Sequence, residues 1–219
     1  KQVVFPAVRA QLDVMAKGLT ETRSAADRSR LCRMTGDLYQ LVGELFFDAN
    51  RYTDAAQCYT LAANAAYAGG DHDLWACAMT RHAYVELYAR RAHAAQPLLA
   101  AALRVARRGD GTLSTRHWIV AVQAQAYAAV GDLDACRRAL GEAGRVQGLD
   151  GAHSHNGGWL RFDGSRLAEE RGACYLQLGR PDLAEEALTA ALAQPLSLRR
   201  RAAVLSDLAV LGVHRRDVD

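Results

Sequence analysis

Apolar residues recur with helical spacing along the whole chain, and short turn sequences separate the apolar stretches. In residues 179–192 a Gly-Arg-Pro-Asp turn is followed by Ala184, Leu188 and Ala191, spaced four and three residues apart. This spacing places the three side chains on one face of an α-helix. Pro181 suits the first turn of that helix, where its missing N–H costs little. Alanine at two of the three positions predicts a close neighbour rather than a weak helix.

The same pattern returns at three other places, so the chain is built from repeats. The full pattern adds a small residue and an aromatic residue, seven and four positions before the turn residue. Glu86 replaces the aromatic residue in one copy, and Ala209 with Arg216 in the turn position suggests a fifth, incomplete copy. In the order small, aromatic, turn, small, large, small, the four copies are Gly43, Phe46, Asn50, Ala55, Tyr59, Ala62; Ala83, Glu86, Arg90, Ala95, Leu99, Ala102; Ala124, Tyr127, Gly131, Cys136, Leu140, Ala143; and Gly172, Tyr175, Gly179, Ala184, Leu188, Ala191.

Each copy predicts two antiparallel helices joined by a short turn. A glycine or alanine at the small positions lets helix backbones approach closely, and the aromatic residues fill the space beside them. The turn position requires a residue that tolerates positive φ, as glycine and asparagine do. The predicted fold class is therefore all-α, a solenoid of helical hairpins.

Two segments resemble the tetratricopeptide repeat (TPR), a helix-turn-helix solenoid unit. They are LVGELFFDANRYTDAAQCYTLAANAA at 41–66 and RGACYLQLGRPDLAEEALTAAL at 171–192. The resemblance implies a right-handed superhelix. Successive small positions are 40, 41, 48 and 37 residues apart, whereas the usual repeat has about 34 residues. The helices or their connections are therefore longer than in the minimal unit. The longest spacing, between Ala124 and Gly172, contains a Gly-rich segment at 148–162, which we call the Gly-rich excursion and which cannot be helical throughout.

These patterns predict an N-terminal helical segment, residues 1–34, packed on a TPR-like domain of residues 35–219. The sequence Trp-Leu-Arg-Phe at 159–162 is either a hydrophobic plug on the preceding hairpin or a ligand anchor. Four complete hairpins and a truncated fifth are expected at about 36–68, 73–108, 115–147, 159–194 and 197–219.

The order of the segments also resembles the C-terminal TPR region of actinobacterial Xre-type helix-turn-helix transcriptional regulators. The segments that carry this resemblance are GELFFDANRYTDAAQCYTLAANAAYAGGD at 43–71 and WLRFDGSRLAEERGACYLQLGRPDLAEEAL at 159–188. The resemblance implies a ligand-sensing or protein-interaction domain of a bacterial regulator. The DNA-binding domain would then lie outside this segment, upstream of Lys1. The alternative is a freestanding TPR adaptor or scaffold protein that does not bind DNA.

A solenoid of this kind offers a concave groove lined by one face of each first helix. We expect the groove-facing residues at fixed distances from the small residue of each first helix. They lie three positions before it and one, four or five positions after it. Tyrosine, glutamine and carboxylate side chains there can hydrogen-bond a peptide, a protein partner or a polar small molecule; alternatively, Tyr84 and Tyr88 only pack on their neighbours. The truncated fifth hairpin leaves an uncapped end, so a homodimer is also considered. The candidate binding residues are Gln40, Glu44, Asp48, Thr80, Tyr84, Tyr88, Gln125, Glu169 and Gln177.

Composition and charge change this picture little. Hydrophobic residues make up 50% and charged residues 23% of the 219 positions, which is ordinary for a folded protein and excludes disorder. The net charge of +3 reflects arginine, because only Lys1 and Lys17 are lysines. Arginine pairs such as Arg107–Arg108 fall near predicted helix ends, where cations complement the helix dipole. Contact with RNA or DNA through these arginines is the alternative interpretation.

No motif of catalysis or metal binding stands out. The five cysteines are isolated and odd in number, which favours buried free thiols in a reducing cytoplasm. His153 and His155 are the only histidines close together in the sequence, and Asp150 lies nearby. A metal site there would need converging ligands from elsewhere in the chain. The alternative is that these residues are solvated loop residues. Without a phosphate loop, an H-E-x-x-H motif or a nucleophile elbow, we predict neither an enzyme nor a cofactor or metal. The absence of a membrane span and of a signal peptide predicts a cytoplasmic protein.

Overall fold

The computed structural model of the protein describes residues 4–149, 155–157 and 162–215, and these residues form helices and their connections. A 3-10 turn at Arg145–Gly148 follows the seventh helix. The α-helices of the described residues are α1 (Val4–Glu21), α2 (Ala25–Phe47), α3 (Tyr52–Ala68), α4 (His72–Tyr88), α5 (Ala92–Ala106), α6 (Thr115–Ala129), α7 (Leu133–Gly144), α8 (Leu167–Gln177), α9 (Pro181–Leu192) and α10 (Leu198–Arg215).

The helices pair into hairpins in chain order. Helix α2 packs against α3, α4 against α5, α6 against α7 and α8 against α9, while α10 packs against both α8 and α9. Each first helix also contacts the first helix of the next pair, so that α2, α4, α6, α8 and α10 form one layer. Helix α1 lies against α2, where Val8 packs with Val42. The predicted all-α solenoid of helical hairpins is confirmed.

One turn geometry closes all four hairpins, as the repeat pattern predicts. In the last of them the N–H of Arg180 donates to the carbonyl of Tyr175 at 2.9 Å, five positions back. This bond, together with a left-handed residue before it, defines the Schellman cap of a helix. Such a conformation suits glycine but is strained for a residue with a Cβ such as Arg90. The backbone φ is positive at every predicted turn position: Asn50 (58°), Arg90 (59°), Gly131 (80°) and Gly179 (63°).

Glycine and alanine lie at the helix crossings, which answers why the apolar stripes contain so many small residues. A Cβ placed on Gly172 would lie 2.5 Å from both Cγ and Cδ2 of Leu188, and one placed on Gly43 would overlap the ring of Tyr59. The three predicted positions on each second helix are at most 1% exposed. The close approach of backbones that the repeat pattern predicts is confirmed for these four pairs.

The fifth copy of the pattern differs from the others. Ala209, its small position, is exposed on α10, whereas Val204 and Leu211 on the same helix are buried. The buried residues of α10 face α8 and α9, and no helix of the described residues covers the Ala209 side. Arg216 lies outside the described residues.

The first hairpin begins earlier than the sequence predicts. Helix α2 runs unbroken from Ala25 to Phe47, so residues 25–34 belong to the first hairpin rather than to a separate N-terminal segment. Ser24 caps this helix by accepting a hydrogen bond from the N–H of Asp27 at 3.2 Å. Gly36 does not end the helix because it packs against α3, where a Cβ would lie 3.2 Å from the carbonyl oxygen of Ala62.

Part of the predicted Gly-rich excursion returns to the solenoid. The N–H of Ser114 donates to the carbonyl of His155 at 2.6 Å, and the N–H of Gly157 donates to Oγ1 of Thr115 at 2.9 Å. Gly157 also lies directly against Asp73, since a Cβ on this glycine would overlap that side chain. Residues 155–157 therefore lie between the beginnings of α4 and α6.

Phe162 is the one residue of the Trp-Leu-Arg-Phe sequence that lies within the described residues. Its side chain is buried against Ala143 and Val146 at the end of the third hairpin. This position agrees with the plug interpretation for Phe162, while residues 159–161 lie outside the described part of the chain.

Candidate functional site

The layer of first helices carries a cavity of about 210 Å³ with mixed chemistry. Four consecutive first helices, α2, α4, α6 and α8, contribute side chains to it, so the cavity spans four hairpins. Its walls combine aromatic rings, two carboxylates, two guanidinium groups and one amide. The lining residues are Glu44, Phe47, Tyr59, Arg81, Tyr84, Trp118, Val122, Gln125, Arg166 and Glu170.

A second hollow of about 210 Å³ continues from this cavity toward α10. Both hollows share Tyr84, Gln125, Arg166 and Glu170, so they form one groove along the layer of first helices. We call the two hollows together the groove and the first hollow the groove cavity. The other residues of the second hollow are Glu169, Ala173, Cys174, Gln177, Ala203, Val204 and Asp207.

A buried arginine holds the wall of the groove cavity between α2 and α4. Arg81 is 4% exposed, and its Nε donates to Oε1 of Gln40 at 2.8 Å while its Nη1 pairs with Glu44. The hydroxyl of Tyr59 donates to the same Glu44 oxygen at 2.5 Å. The guanidinium also lies over the ring of Trp118, 5.6 Å from its centroid, at a distance typical of a cation–π contact. Charge-assisted bonds of this kind orient a wall firmly.

The tyrosines of the groove are neutral hydrogen-bonding groups. Burial, with smaller contributions from the nearby Tyr88 and Glu170, raises the pKa of Tyr84 to about 12. Burial, together with the charge of Glu44, likewise raises the pKa of Tyr59 well above its usual range. Both phenols therefore keep their protons at neutral pH and remain hydrogen-bond donors.

Glu170 has a different environment from the other groove carboxylates. Its Oε2 is buried and has no hydrogen-bond partner among the described residues. Burial raises the pKa of this carboxyl to about 7, against the opposing effect of the Arg166 and Arg200 charges. The neighbouring Glu169 is paired instead, because Arg200 donates to its Oε1 from Nε at 2.8 Å. Glu170 is therefore a buried carboxyl that carries its charge only part of the time near pH 7.

An aromatic cluster borders the groove cavity at the end of α2 and α4. The ring of Phe47 lies 4.9 Å from that of Tyr88 and 5.4 Å from that of Tyr52, both edge to face. Tyr84 contacts both Phe47 and Tyr88. Tyr88 packs in this way and is still 56% exposed, so both interpretations of the tyrosine pair stay open.

Five of the nine predicted binding residues line the groove, two lie at the ends of α2 and α4, and two are buried between helices. Glu44, Tyr84 and Gln125 line the groove cavity, and Glu169 and Gln177 line the second hollow. Tyr88 belongs to the aromatic cluster described above, and Asp48 is the exposed residue that ends α2.

Gln40 and Thr80 are corrections to the prediction, because both are fully buried between helices. Gln40 supports Arg81 from behind and donates to the carbonyl of Leu74 at 3.3 Å. The hydroxyl of Thr80 donates to the carbonyl of Ala76 in its own helix at 2.7 Å. On α2 and α4 the position three residues before the small residue therefore faces the adjacent helix, whereas on α8 the same position, Glu169, lines the second hollow.

The sequence prediction missed several lining residues of the groove cavity, and one register error explains five of them. These five lie two or six positions before the small residue of their helix, while Glu44, Tyr84 and Gln125 lie one position after it. Tyr59 was missed for another reason, because it lies on the second helix α3. Positions +1, −2 and −6 are three and four residues apart, so they share one helical face. The same count applied at −2 and −6 would have found Arg81, Val122 and Glu170, and Trp118 and Arg166.

Other hollows and clusters in the described residues offer less chemistry. A larger hollow of about 370 Å³ between α5 and α6 has only Gln96, Gln123 and Tyr127 as polar side chains. Among the described residues no three His, Cys, Asp or Glu side chains converge as metal ligands. Of the predicted loop group, His153 and Asp150 lie outside the described residues. The five cysteines are buried free thiols. Within the described ranges, no helix has the length and apolar character that crossing a bilayer requires.

Comparison with known proteins bears on the fold alone. No protein-family model matches the chain, and no curated protein matches it. The crystal structure of BtubC (BKLC) from P. vanneervenii is similar, with a TM-score of 0.59 and 20% sequence identity. The similarity covers 88% of this chain and 71% of BtubC. At this identity the likeness supports the all-helical architecture of the chain and nothing beyond the fold.

Proposed function

We propose that the chain is a binding domain of the TPR type, whose groove takes up a peptide, a protein segment or a polar small molecule. The observation that carries this proposal is the groove cavity itself. Aromatic, charged and amide side chains from four hairpins converge on a hollow of about 210 Å³, and a few fixed polar groups in an apolar wall are typical of ligand sites.

The proposal extends to a regulatory role in a bacterial transcriptional regulator. An occupant of the groove cavity would touch four first helices at once, and it would favour the arrangement of hairpins that fits it best. A ligand that binds one arrangement more tightly shifts the population toward it. A DNA-binding domain joined to the chain would then respond to the ligand. The resemblance of residues 43–71 and 159–188 to Xre-type regulators supports this context.

A gel-shift experiment separates the regulator from the adaptor. The full-length protein that contains this chain is mixed with DNA from its own promoter region, and the 219-residue chain alone serves as the control. We expect the full-length protein, and not the isolated chain, to retard the DNA. Failure of the full-length protein to bind any DNA would overturn the regulatory role and favour the adaptor, while the binding role of the groove would remain open to the next test.

A pair of glutamines on α6 provides a matched test of the groove. Gln125 lines the groove cavity, whereas Gln123 lies two residues earlier and lines the hollow between α5 and α6. Native mass spectrometry of protein purified from its own host would detect a retained ligand. We expect Gln125→Trp to abolish retention and Gln123→Trp to leave it unchanged. Equal loss in both variants, with both folded by circular dichroism, would refute binding in the groove, as would retention in both.

A further inference from the structure

The groove contains three carboxylates on α2 and α8, and the structure supplies cations to only two of them. Glu44 pairs with Arg81, and Glu169 pairs with Arg200. Glu170 lines both hollows, and its buried Oε2 has no partner among the described residues. A buried carboxylate without a donor carries a large desolvation cost, so a site that retains one is typically completed by something that binds.

The charged and titratable groups around Glu170 do not fill this role. On its own helix Arg166 is exposed and forms no ion pair within the described part of the chain, while Glu169 is already paired. From α10, Arg200 is committed to Glu169, and Asp207 is a carboxylate with a raised pKa. From α4, Arg81 also lines the groove cavity, but it is paired with Glu44. The other neighbours, Tyr84 on α4, Gln125 on α6 and Cys174 on α8, carry no positive charge.

Size and wall chemistry indicate what completes the site. A hollow of about 210 Å³ is smaller than the 300–1,000 Å³ typical of sites for drug-sized ligands, so it fits one side chain or one small head group. Four aromatic rings line it together with Glu170: those of Phe47, Tyr59, Tyr84 and Trp118. Aromatic faces and a carboxylate together favour a cation with an alkyl stem.

We propose that the groove cavity binds a primary ammonium group, with the Glu170 carboxylate as its anchor. The ammonium could come from a lysine side chain of a peptide or from a free alkylamine, since both present the same chemistry. This inference rests on the proposed binding function of the groove and names the class of its ligand.

The protonation of Glu170 makes the binding dependent on pH. Because burial raises the pKa of this carboxyl to about 7, the anchor is charged at pH 8 and largely neutral at pH 6. An ammonium ligand binds the charged form, so its affinity falls by about tenfold from pH 8 to pH 6. By the same linkage, the bound ammonium lowers the pKa of Glu170.

Titration of the whole chain with n-butylamine tests the proposal by NMR, with the side-chain carboxyl carbons of glutamate labelled. n-Butanol is the uncharged control, and butyrate is the control of opposite charge. We expect n-butylamine to bind at pH 8 at least tenfold more tightly than either control and to shift the Glu170 signal. Equal binding of n-butylamine and n-butanol would overturn the proposal. Preferential binding of butyrate would also overturn it and would assign the cavity to a carboxylate held by Arg166.

Two isosteric variants show whether Glu170 itself is the anchor. Glu170→Gln removes the charge and keeps the shape, and we expect it to weaken n-butylamine binding at least tenfold and to abolish the pH dependence. Glu186→Gln makes the same change at an exposed position on α9, and we expect an effect below twofold. Equal effects of the two variants would overturn the proposal.

The two sources of the ammonium are separated with a blocked peptide, acetyl-Gly-Gly-Lys-Gly-Gly-amide, and its norleucine counterpart. Tighter binding of the lysine peptide than of n-butylamine assigns the cavity to a peptide side chain, and weaker binding assigns it to a free amine. Binding of the norleucine peptide as tight as that of the lysine peptide would overturn the ammonium proposal. The ammonium proposal could fail in this way while Gln125→Trp still blocked retention of the natural ligand. The groove would then keep its proposed binding function, and only the ammonium class of its ligand would be refuted.

Discussion

Replacement of Gly172 by alanine tests the packing on which the hairpins depend. Gly172 lies in the middle of α8 and faces Leu188 on α9, and the added Cβ would lie 2.5 Å from two carbons of that side chain. It would also lie 3.4 Å from the backbone nitrogen of Leu188. Leu188 is 0% exposed, so it has no free space to move into. The two helices must therefore separate, or the leucine must leave its preferred rotamer.

The size of the effect follows from two opposing contributions. An alanine in a helix interior is more favourable than a glycine by about 1 kcal/mol. Overpacking of a close-packed core costs roughly 1–3 kcal/mol. We expect the second contribution to win at Gly172, so that the variant loses up to about 2 kcal/mol of unfolding free energy.

Gly141 on α7 provides the matched control, because a Cβ there would meet nothing within 4 Å. Gly141→Ala should gain close to the full 1 kcal/mol or so of helix propensity. The two variants would then differ by about 1–3 kcal/mol, which for a chain of this size separates their melting temperatures by roughly 2–12 °C. Thermal unfolding followed by circular dichroism at 222 nm measures the difference. If Gly172→Ala stabilised the chain as much as Gly141→Ala, the proposed close crossing of α8 and α9 would be refuted.

Three further predictions concern the turn, the groove wall and the groove carboxyl. Arg90 has φ of 59°, so Arg90→Gly should raise the unfolding free energy by about 1 kcal/mol; urea denaturation that shows a loss would contradict this. Arg81→Leu should lower the unfolding free energy by about 3–5 kcal/mol because it leaves Glu44 without its buried partner. The double variant that also carries Glu44→Leu should recover part of this loss. A double variant less stable than Arg81→Leu alone would argue against the pairing. Folding raises the pKa of Glu170 from 4.5 to about 7, so the folded state favours the protonated carboxyl. The stability that this group contributes is therefore fully present below about pH 4.5 and is lost as the pH rises to about 7. Glu170→Gln should therefore gain up to about 3 kcal/mol relative to the wild type between pH 4.5 and pH 8, and a difference in melting temperature that is constant over this range would be the contrary result.

The repeat pattern was sufficient for the fold because its signals are local. A left-handed turn residue, a small residue and a large residue at set distances describe one hairpin, and Gly172, Gly179 and Leu188 illustrate all three. The start of α2 escaped the prediction for a long-range reason. Helix α2 continues across the predicted boundary at residue 34, and Gly36 is accommodated there by its contact with α3.

The candidate site was predicted less well because it depends on how the first helices cross. The choice between the −3 and the −2 position decides whether Thr80 or Arg81 faces the groove, because adjacent side chains on an α-helix point about 100° apart. The pairing of Arg81 with Glu44 joins residues 37 positions apart, which no periodicity reveals. The lack of a partner for Glu170 likewise becomes visible only when every neighbouring side chain has been placed.

The segment 155–157 has a consequence for how the molecule opens. In a simple repeat array each repeat contacts only its neighbours along the chain, so distant repeats can open independently. Here the segment 155–157, which precedes the fourth hairpin, hydrogen-bonds to Ser114 and Thr115 and packs on Asp73. It therefore ties the second and third hairpins into one cooperative block. We expect native-state amide exchange to show that block opening as a single foldon, with fraying confined to α1 and α10. Elastic bending of the solenoid would then be concentrated at its two ends rather than spread along its length.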